Sequence, residues 1–440
     1  MLPESIMLDN FRHIHFIGIG GSGISALAYL ALAHKIRVSG SDVSENPTTK
    51  NLKKEGATIH IGHSAKNLDE LCELVIYTEA IDKKNNPEYL EAVKREVEMM
   101  SYFQALGLLS AHKKTIAVAG THGKTTTTAM LGLALIEAKT DPTVIVGSRV
   151  PAFDNKNLRT GHSEWLVVEA CEYRRSFLNL QPFGVVVLNC ELEHVDYYKS
   201  EDDYVSAFRE LVEKIPEDGF LVYNENDANC VKVSKACKGE RIPVSLAHGE
   251  ELKLKVAGEF NELNANMAFA AAIEVTEQTG LIRKGLEDFA GTARRMEVKG
   301  EKNGILVMDD YGHHPTEVRV TLEALKKAHP NRRLICVFQP HQYSRTYELL
   351  DQFTHAFAAA DVVIIPNIFE ARDTAEGKAK ISAEKLAQAI SQNHPDCRWG
   401  KSFEETLDML KTEAKSGDLI VTMGAGDVYK IGESFFENGH

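Results

Sequence analysis

Six consecutive residues, Gly120-Thr121-His122-Gly123-Lys124-Thr125, are of the types that handle a phosphate. Glycines let backbone N–H groups turn toward an anion, and a helix N-terminus adds partial positive charge. Lys124 can reach β- and γ-phosphates, and the Thr125 hydroxyl, followed by Thr126, is placed to ligate Mg²⁺. The general phosphate-loop pattern GxxxxGK[ST] asks for a glycine where this chain has Val118. GKT alone also suits a helix-capping turn whose lysine faces water. A strand, a turn, GKT and a helix in succession favour nucleotide binding.

Gly18-Ile19-Gly20-Gly21-Ser22-Gly23 is a GxGxxG, and Asp42 closes the strand that follows its helix. Read alone this is a dinucleotide fingerprint, with the acid on a ribose hydroxyl, and an NAD-dependent oxidoreductase fits it. The same turn cradles any diphosphate, because backbone amides read the anion and not the base.

Metal-ligand types cluster at the ends of two further strands. WLVVEACE places Glu169 there, and VVVLNCELEHVD places Asn189, Glu193, His194 and Asp196. Mg²⁺ prefers oxygen ligands, so Thr125 and Glu169 suit it, with an occasional imidazole such as His194. One acid after a strand is as readily a cap or a surface charge; two such positions downstream of one phosphate loop favour metal. Asp309, Asp310, Tyr311, His313 and His314 follow ILVMDD, and His341 and Arg345 follow LICVFQP. Arginine suits a carboxylate clamp, whereas adjacent histidines are more often packing or capping residues.

These residues need elements to hold them. Three times a short apolar strand runs into a glycine-rich or polar turn and then a helix: HIHFIGIG-GSG-ISALAYLALAHK, TIAVAG-THGK-TTTTAMLGLALIEA and RRLICVFQP-HQYSR-TYELLDQFTHAFAAA. Continuous Val/Ile strands alternating with helices indicate parallel sheets covered on both faces, in doubly wound α/β domains. A helical region is expected over 263–289, and the polar run GTARRMEVKGEKNG separates it from the next strand. Domains are expected at about 1–108, 109–295 and 296–440.

The chain has 440 residues, 43% hydrophobic and 26% charged, which excludes wholesale disorder. Lysine and arginine total 50 against 63 acids, a net charge of -13, which argues against a nucleic-acid partner. No apolar run reaches membrane-spanning length. The opening MLPESIMLDN lacks a signal-peptide pattern, and seven scattered cysteines without a CxxC pair suggest the reducing cytoplasm. Monomer and homodimer both remain open.

GTHGKTTTT, with its shortened loop, resembles the ATP-binding loop of the Mur ligases, which the related folylpolyglutamate synthetases share. HFIGIGGSGISALA, VSGSD, DDYGHHPTE, FQPHQYSRT and TMGAGD add to the resemblance over nearly the whole chain. It implies three domains: a Rossmann-like N-terminal domain, a central P-loop ATPase-like domain and a C-terminal Rossmann-like α/β domain. It further implies an ATP- and Mg²⁺-dependent ligase that joins L-alanine to UDP-N-acetylmuramate through an acyl phosphate. A close alternative attaches a murein tripeptide to the same acceptor; a non-enzymatic UDP-sugar sensor is a more distant one.

By resemblance, Gly120, Thr121, His122, Gly123, Lys124, Thr125 and Thr126 bind ATP, together with Asn261, Asn264 and Asn266 of FNELNAN, Arg295 beside Arg294, and Asp309. Thr125, Glu169 and His194 match the magnesium positions. Gly18, Gly20, Gly21, Ser22, Gly23, Ser41, Asp42, His63 and Thr78 bind the UDP-substrate. Tyr311, His313, His341 and Arg345 meet the amino acid. Lys124, His194, His314 and Arg345 form the catalytic set. Four places depart from the family pattern: Phe260 replaces a histidine, Gln342 an arginine and Thr78 a serine, and EADESD reads EACEYRR. Three ligand fragments on three domains imply domain closure.

Overall fold

A computed structural model describes residues 8–371 and 373–437, so most of the opening MLPESIMLDN lies outside the described residues. Three sheets organise the chain. In the first, strands Thr58–Ile61, Arg37–Asp42, His13–Ile17, Leu74–Tyr77 and Glu98–Ser101 lie in that spatial order, all parallel. His13–Ile17 is the strand from which the order runs both ways, and the first glycine turn leaves its carboxyl end. This is the crevice position where open α/β sheets take ligands.

The second sheet has seven strands, with Lys114–Ala119 central between Pro182–Val187 and Trp165–Glu169. Only the pairing of Thr143–Val150 with Lys156–Arg159 is antiparallel. Within these strands residues 116–119, 166–168 and 185–187 are fully buried, as continuous Val/Ile/Ala runs require. Helix Tyr102–Ala111 leads from the first sheet into this one, and the expected division at 108/109 falls inside it. Both sheets belong to one compact unit, 1–253 with 263–289. Within it, the Asn157 side chain donates to the Ser22 carbonyl and, at 3.1 Å, to the Ser25 hydroxyl. Gly107 lies so close to Asn179 that a Cβ would stand 2.5 Å from its carbonyl oxygen.

The second unit comprises 254–262 and 290–440. Its six-stranded sheet is parallel from Ile305–Asp310 through Asp418–Met423, Arg333–Phe338 and Val362–Ile365 to Cys397–Trp399. Part of the polar run expected to be a separator is an antiparallel edge strand, Glu297–Lys302. A charged sequence suits an edge that faces water on one side. The region 263–289 forms two helices, Glu259–Ile273 and Thr279–Glu287. After Arg333–Phe338 the expected single helix is interrupted: Tyr343–Glu348 and Leu350–Phe353 are separate. Phe353 and Phe357 pack on Phe338 at ring distances of 5.4 and 5.3 Å, so core packing sets the path there rather than helix propensity. Among the described residues no helix is long and apolar enough to cross a membrane.

Candidate active site

Strand Lys114–Ala119 enters Gly120, and helix Lys124–Glu137 begins beyond the turn. Gly123 caps that helix at φ 84°, and a Cβ there would lie 2.6 Å from Asn264 Oδ1. Glycine alone tolerates both the dihedral and the space. Asn189 clasps the turn: its Oδ1 accepts from the His122 N–H at 2.8 Å, and its Nδ2 donates to the His122 carbonyl at 3.1 Å. The Thr121 hydroxyl donates to the Glu191 carbonyl at 2.7 Å and accepts the Glu191 N–H at 3.0 Å. His122 Nε2 lies 3.1 Å from Glu191 Oε2. Thr126 is buried in the first helical turn.

Lys124 Nζ donates to the carbonyls of Gly120 and Thr121 at 2.5 and 2.9 Å, and pairs with Glu172 at 2.9 Å. Burial acts to lower the lysine pKa, but the neighbouring Glu172 carboxylate outweighs it and the net shift is upward. Glu172 mirrors this: burial pushes it up, while Lys124 and a hydrogen bond from His194 hold it below the ordinary range. Both charges are therefore kept in a dry setting, where electrostatic effects on a phosphoryl group are strongest.

The expected metal residues divide into two groups. Thr125 Oγ1 donates to Glu169 Oε1 at 3.1 Å, and the Gly147 N–H holds Glu169 Oε2 at 2.6 Å. A Cβ at Gly147 would stand 2.5 Å from that carboxylate. His194, at φ 55°, instead meets Glu172 at 3.2 Å, and its ring contacts Tyr173 at 4.8 Å between centroids. Glu172, Glu193 and His194 each present a ligand atom within 4.8 Å of the others. Glu172 is not among the expected site residues; its one signal in the sequence is a second acid three residues beyond Glu169 in EACE. Of the asparagines, Asn264 abuts Gly123, while Asn266 grips the Glu250 main chain at 2.6 and 3.3 Å. Asn261 belongs to the second unit and donates to the Ala257 carbonyl at 2.7 Å.

At the first turn, Gly18 has φ 80° and a Cβ would lie 2.4 Å from Thr78 Cγ2. The N–H groups of Gly18 and Ile19 bond the Ser41 carbonyl at 2.8 and 2.9 Å, and Gly20 N–H bonds Asp42 Oδ2 at 2.8 Å. Asp42 thus shapes the turn itself. Gly21 caps helix Ser22–Ala33, and Gly23 lies under the Tyr102 ring, 2.9 Å from where its Cβ would be. Ser41 and His63 meet at 3.0 Å, joined by Glu88, a fully buried carboxylate absent from the sequence-derived set.

In the second unit, Asp309 is buried and engaged at both oxygens, by Arg294 Nε at 2.8 Å and the Thr422 hydroxyl at 2.7 Å. Arg294 also donates to the Gly424 and Gly426 carbonyls, at 2.6 and 3.0 Å. Arg294 is therefore internal framework, and both it and Arg295 lie over the Tyr311 ring at 5.1 Å. Burial pushes the neighbouring Asp310 up to about 6 against the opposing Arg295. His314 caps helix Pro315–Ala328 in a capping box with Glu317. His313 lies 6.0 Å from the His341 ring, which stacks on Phe369 at 5.4 Å. Arg345 is buried in helix Tyr343–Glu348, and Gln342 turns its amide to the Ala371 carbonyl at 2.9 Å.

Three family models match in order: Mur ligase family, catalytic domain, over 13–114; Mur ligase middle domain, over 118–250; and Mur ligase, glutamate ligase domain, over 294–426. A UDP-N-acetylmuramate–L-alanine ligase of Clostridium novyi is 40% identical, covering 98% of this chain and 99% of that protein. The crystal structure of the UDP-N-acetylmuramate-alanine ligase of Thermotoga maritima superposes with a TM-score of 0.82 at 26% identity, covering 97% and 98%. A murein peptide ligase of Psychrobacter arcticus shares the fold, with a TM-score of 0.72 at 24% identity and coverage of 97% and 98%. These relatives are ligases, so the nicotinamide reading of the first glycine turn falls away. With both glycine turns, the half-buried Lys124 and three domain matches in register, the chain belongs to the Mur ligase family.

Proposed function

We propose that this enzyme joins L-alanine to the lactyl carboxylate of UDP-N-acetylmuramate while cleaving ATP to ADP and phosphate, in the cytoplasm. The observation that carries the reading is 40% identity, over 98% of the chain, to an L-alanine ligase. We assign the UDP-sugar to the domain at 1–108, ATP to 109–295 and the amino acid to 296–440.

A carboxylate is a poor electrophile until one oxygen carries phosphate. Its oxygen attacks the γ-phosphorus, ADP leaves, and the amine of L-alanine then attacks the acyl carbon and expels phosphate. Lys124 holds phosphoryl oxygens at the N-terminus of helix Lys124–Glu137, and Glu172 keeps the lysine charged and aimed. The Thr125 hydroxyl and Glu169 carboxylate form an oxygen donor set that fits Mg²⁺, and the neighbouring His194 with Glu172 and Glu193 offers a second. When bound, the ion supplies neutralisation between the two anions that must meet. Arg345 is assigned the amino-acid carboxylate, and Tyr311, His313 and His341, whose rings lie in sequence against one another, are assigned to the same ligand, with His314 capping the helix beside them.

A coupled phosphate-release assay with UDP-N-acetylmuramate, ATP and Mg²⁺ tests this across amines. L-alanine is expected to support turnover; turnover with the murein tripeptide alone would overturn the choice of amine. Absence of ADP formation with every amine would overturn the ligase reading.

A further inference from the structure

Six buried or half-buried polar side chains form a continuous row through the first sheet. His13 Nε2 lies 2.8 Å from Ser39 Oγ, which lies 2.8 Å from His15 Nδ1. His15 Nε2 reaches Glu88 Oε2 at 3.3 Å, Ser41 Oγ reaches the same oxygen at 2.5 Å, and His63 Nδ1 reaches Ser41 Oγ at 3.0 Å. The other carboxylate oxygen accepts from Ser64 N–H at 3.1 Å and Asn67 Nδ2 at 2.5 Å. His63, with 18% of its side chain exposed, is the member of the row that reaches solvent; Glu88 has none exposed.

The proton order along this row follows from one fact: an ionised carboxylate only accepts. Burial opposes the charge of Glu88, but hydrogen bonds from His15 and Ser41 outweigh it and hold the acid down at about 2. Toward the strand start, an uncharged His15 donates from Nε2 and accepts at Nδ1 from the Ser39 hydroxyl, which leaves Ser39 to accept from His13 Nε2–H. His13 Nδ1 is left as a bare lone pair, and that atom is indeed buried without a hydrogen-bond partner. Burial and the nearby Arg37 lower the His13 pKa, which agrees with a neutral ring. Toward the glycine turn, Ser41 spends its single proton on Glu88, so it can only accept from His63 Nδ1–H.

We propose that Glu88 is a positioning residue for the UDP-substrate: through Ser41 it keeps a proton on His63 Nδ1, so that the uncharged ring is held as the Nδ1–H tautomer. The remaining Nε2 lone pair then accepts from a donor on the nucleotide, either a ribose hydroxyl or the N3–H of uracil. This rests on assigning the first domain to the UDP-sugar. It goes further by making His63 a hydrogen-bond acceptor rather than a cation aimed at the diphosphate.

The test pairs a spectrum with binding. Imidazole ¹⁵N shifts of the full-length, ligand-free chain, with His63 assigned through His63→Asn, are expected to show its Nδ1 protonated and Nε2 bare. In Glu88→Gln that tautomer preference is expected to be lost, and calorimetry is expected to show UDP binding about tenfold weaker with ATP binding unchanged. CDP lacks the N3–H and dUDP a ribose hydroxyl; whichever analogue loses its penalty in Glu88→Gln identifies the donor. Should Glu88→Gln not fold, Ser41→Ala cuts the same link and carries the same expectation. An Nε2–H tautomer in the wild type, or a variant that binds UDP like the wild type, overturns the inference. A wild type that binds no UDP overturns the domain assignment beneath it, a separate result because the tautomer is read without ligand.

Discussion

The two glycine turns share one backbone plan, a buried parallel strand feeding a helix through glycines at positive φ, yet they are charged in opposite ways. The phosphate loop ends in Lys124, a cation locked to its own loop carbonyls and to Glu172. The first turn carries no cation in its GIGGSG run, and its supports are Asp42 on Gly20 and Glu88 behind Ser41. On the proposed assignment one backbone plan serves two ends. Where a diphosphate only has to be held, the N-terminus of helix Ser22–Ala33 and a hydrogen-bonded rim are enough. Where negative charge migrates during reaction, a desolvated lysine has to be present beforehand. Each turn has a buried carboxylate of lowered pKa at its back, but Lys124 offsets the burial of Glu172, whereas hydrogen bonds from His15 and Ser41 offset that of Glu88.

The contrast is broken most directly at Lys124. Lys124→Ala is expected to reduce kcat by at least about 10²–10³-fold, with UDP-sugar binding nearly intact by calorimetry; equal loss of both would mean the turns do not divide the labour. Glu88 offers the next largest effect. Its pKa falls from 4.5 to about 2 in the folded chain, so its stabilisation is present above pH 4.5 and is lost as pH falls toward 2. Denaturation curves of wild type and Glu88→Gln should accordingly converge by roughly 3 kcal/mol between pH 7 and pH 2. A constant gap would show that the group is held by packing alone.

Arg345 serves as the control outside both turns. Arg345→Ala is expected to raise the KM for L-alanine by about 10- to 100-fold, the worth of a charge-assisted bond, while the KM values of ATP and UDP-N-acetylmuramate stay put. An unmoved amino-acid KM would remove it from the clamp. The smallest effect is assigned to Thr78→Ser, which deletes the methyl facing Gly18 but keeps the hydroxyl. Its cost should be about 1 kcal/mol or less in thermal melts, with the UDP-sugar KM within about twofold.

What the residues announced in advance was whatever is local in the chain. Val/Ile runs, glycines and the GKT triplet lie side by side, so the strand–turn–helix units of both glycine turns were legible, as was Thr125 beside a strand-end acid. The pairings that complete the site are not local. Glu172 meets Lys124 across 48 residues and Glu88 meets Ser41 across 47, and nothing in either neighbourhood marks the partner. Burial was equally hidden: Asp309, expected to bind ATP, is enclosed by Arg294 and Thr422. The broken helix after Tyr343 was invisible because aromatic packing against Phe338, not propensity, sets its course.

The Asn157 bond to Ser22 and Ser25 carries a lesson for anyone recombining these enzymes. A chimera that grafts the first hundred residues onto a foreign ATPase core would leave behind the side chain that braces the opening turn of helix Ser22–Ala33. Tyr102, the roof over Gly23, lies at the same seam. A workable crossover would have to carry both residues with the graft or supply their equivalents.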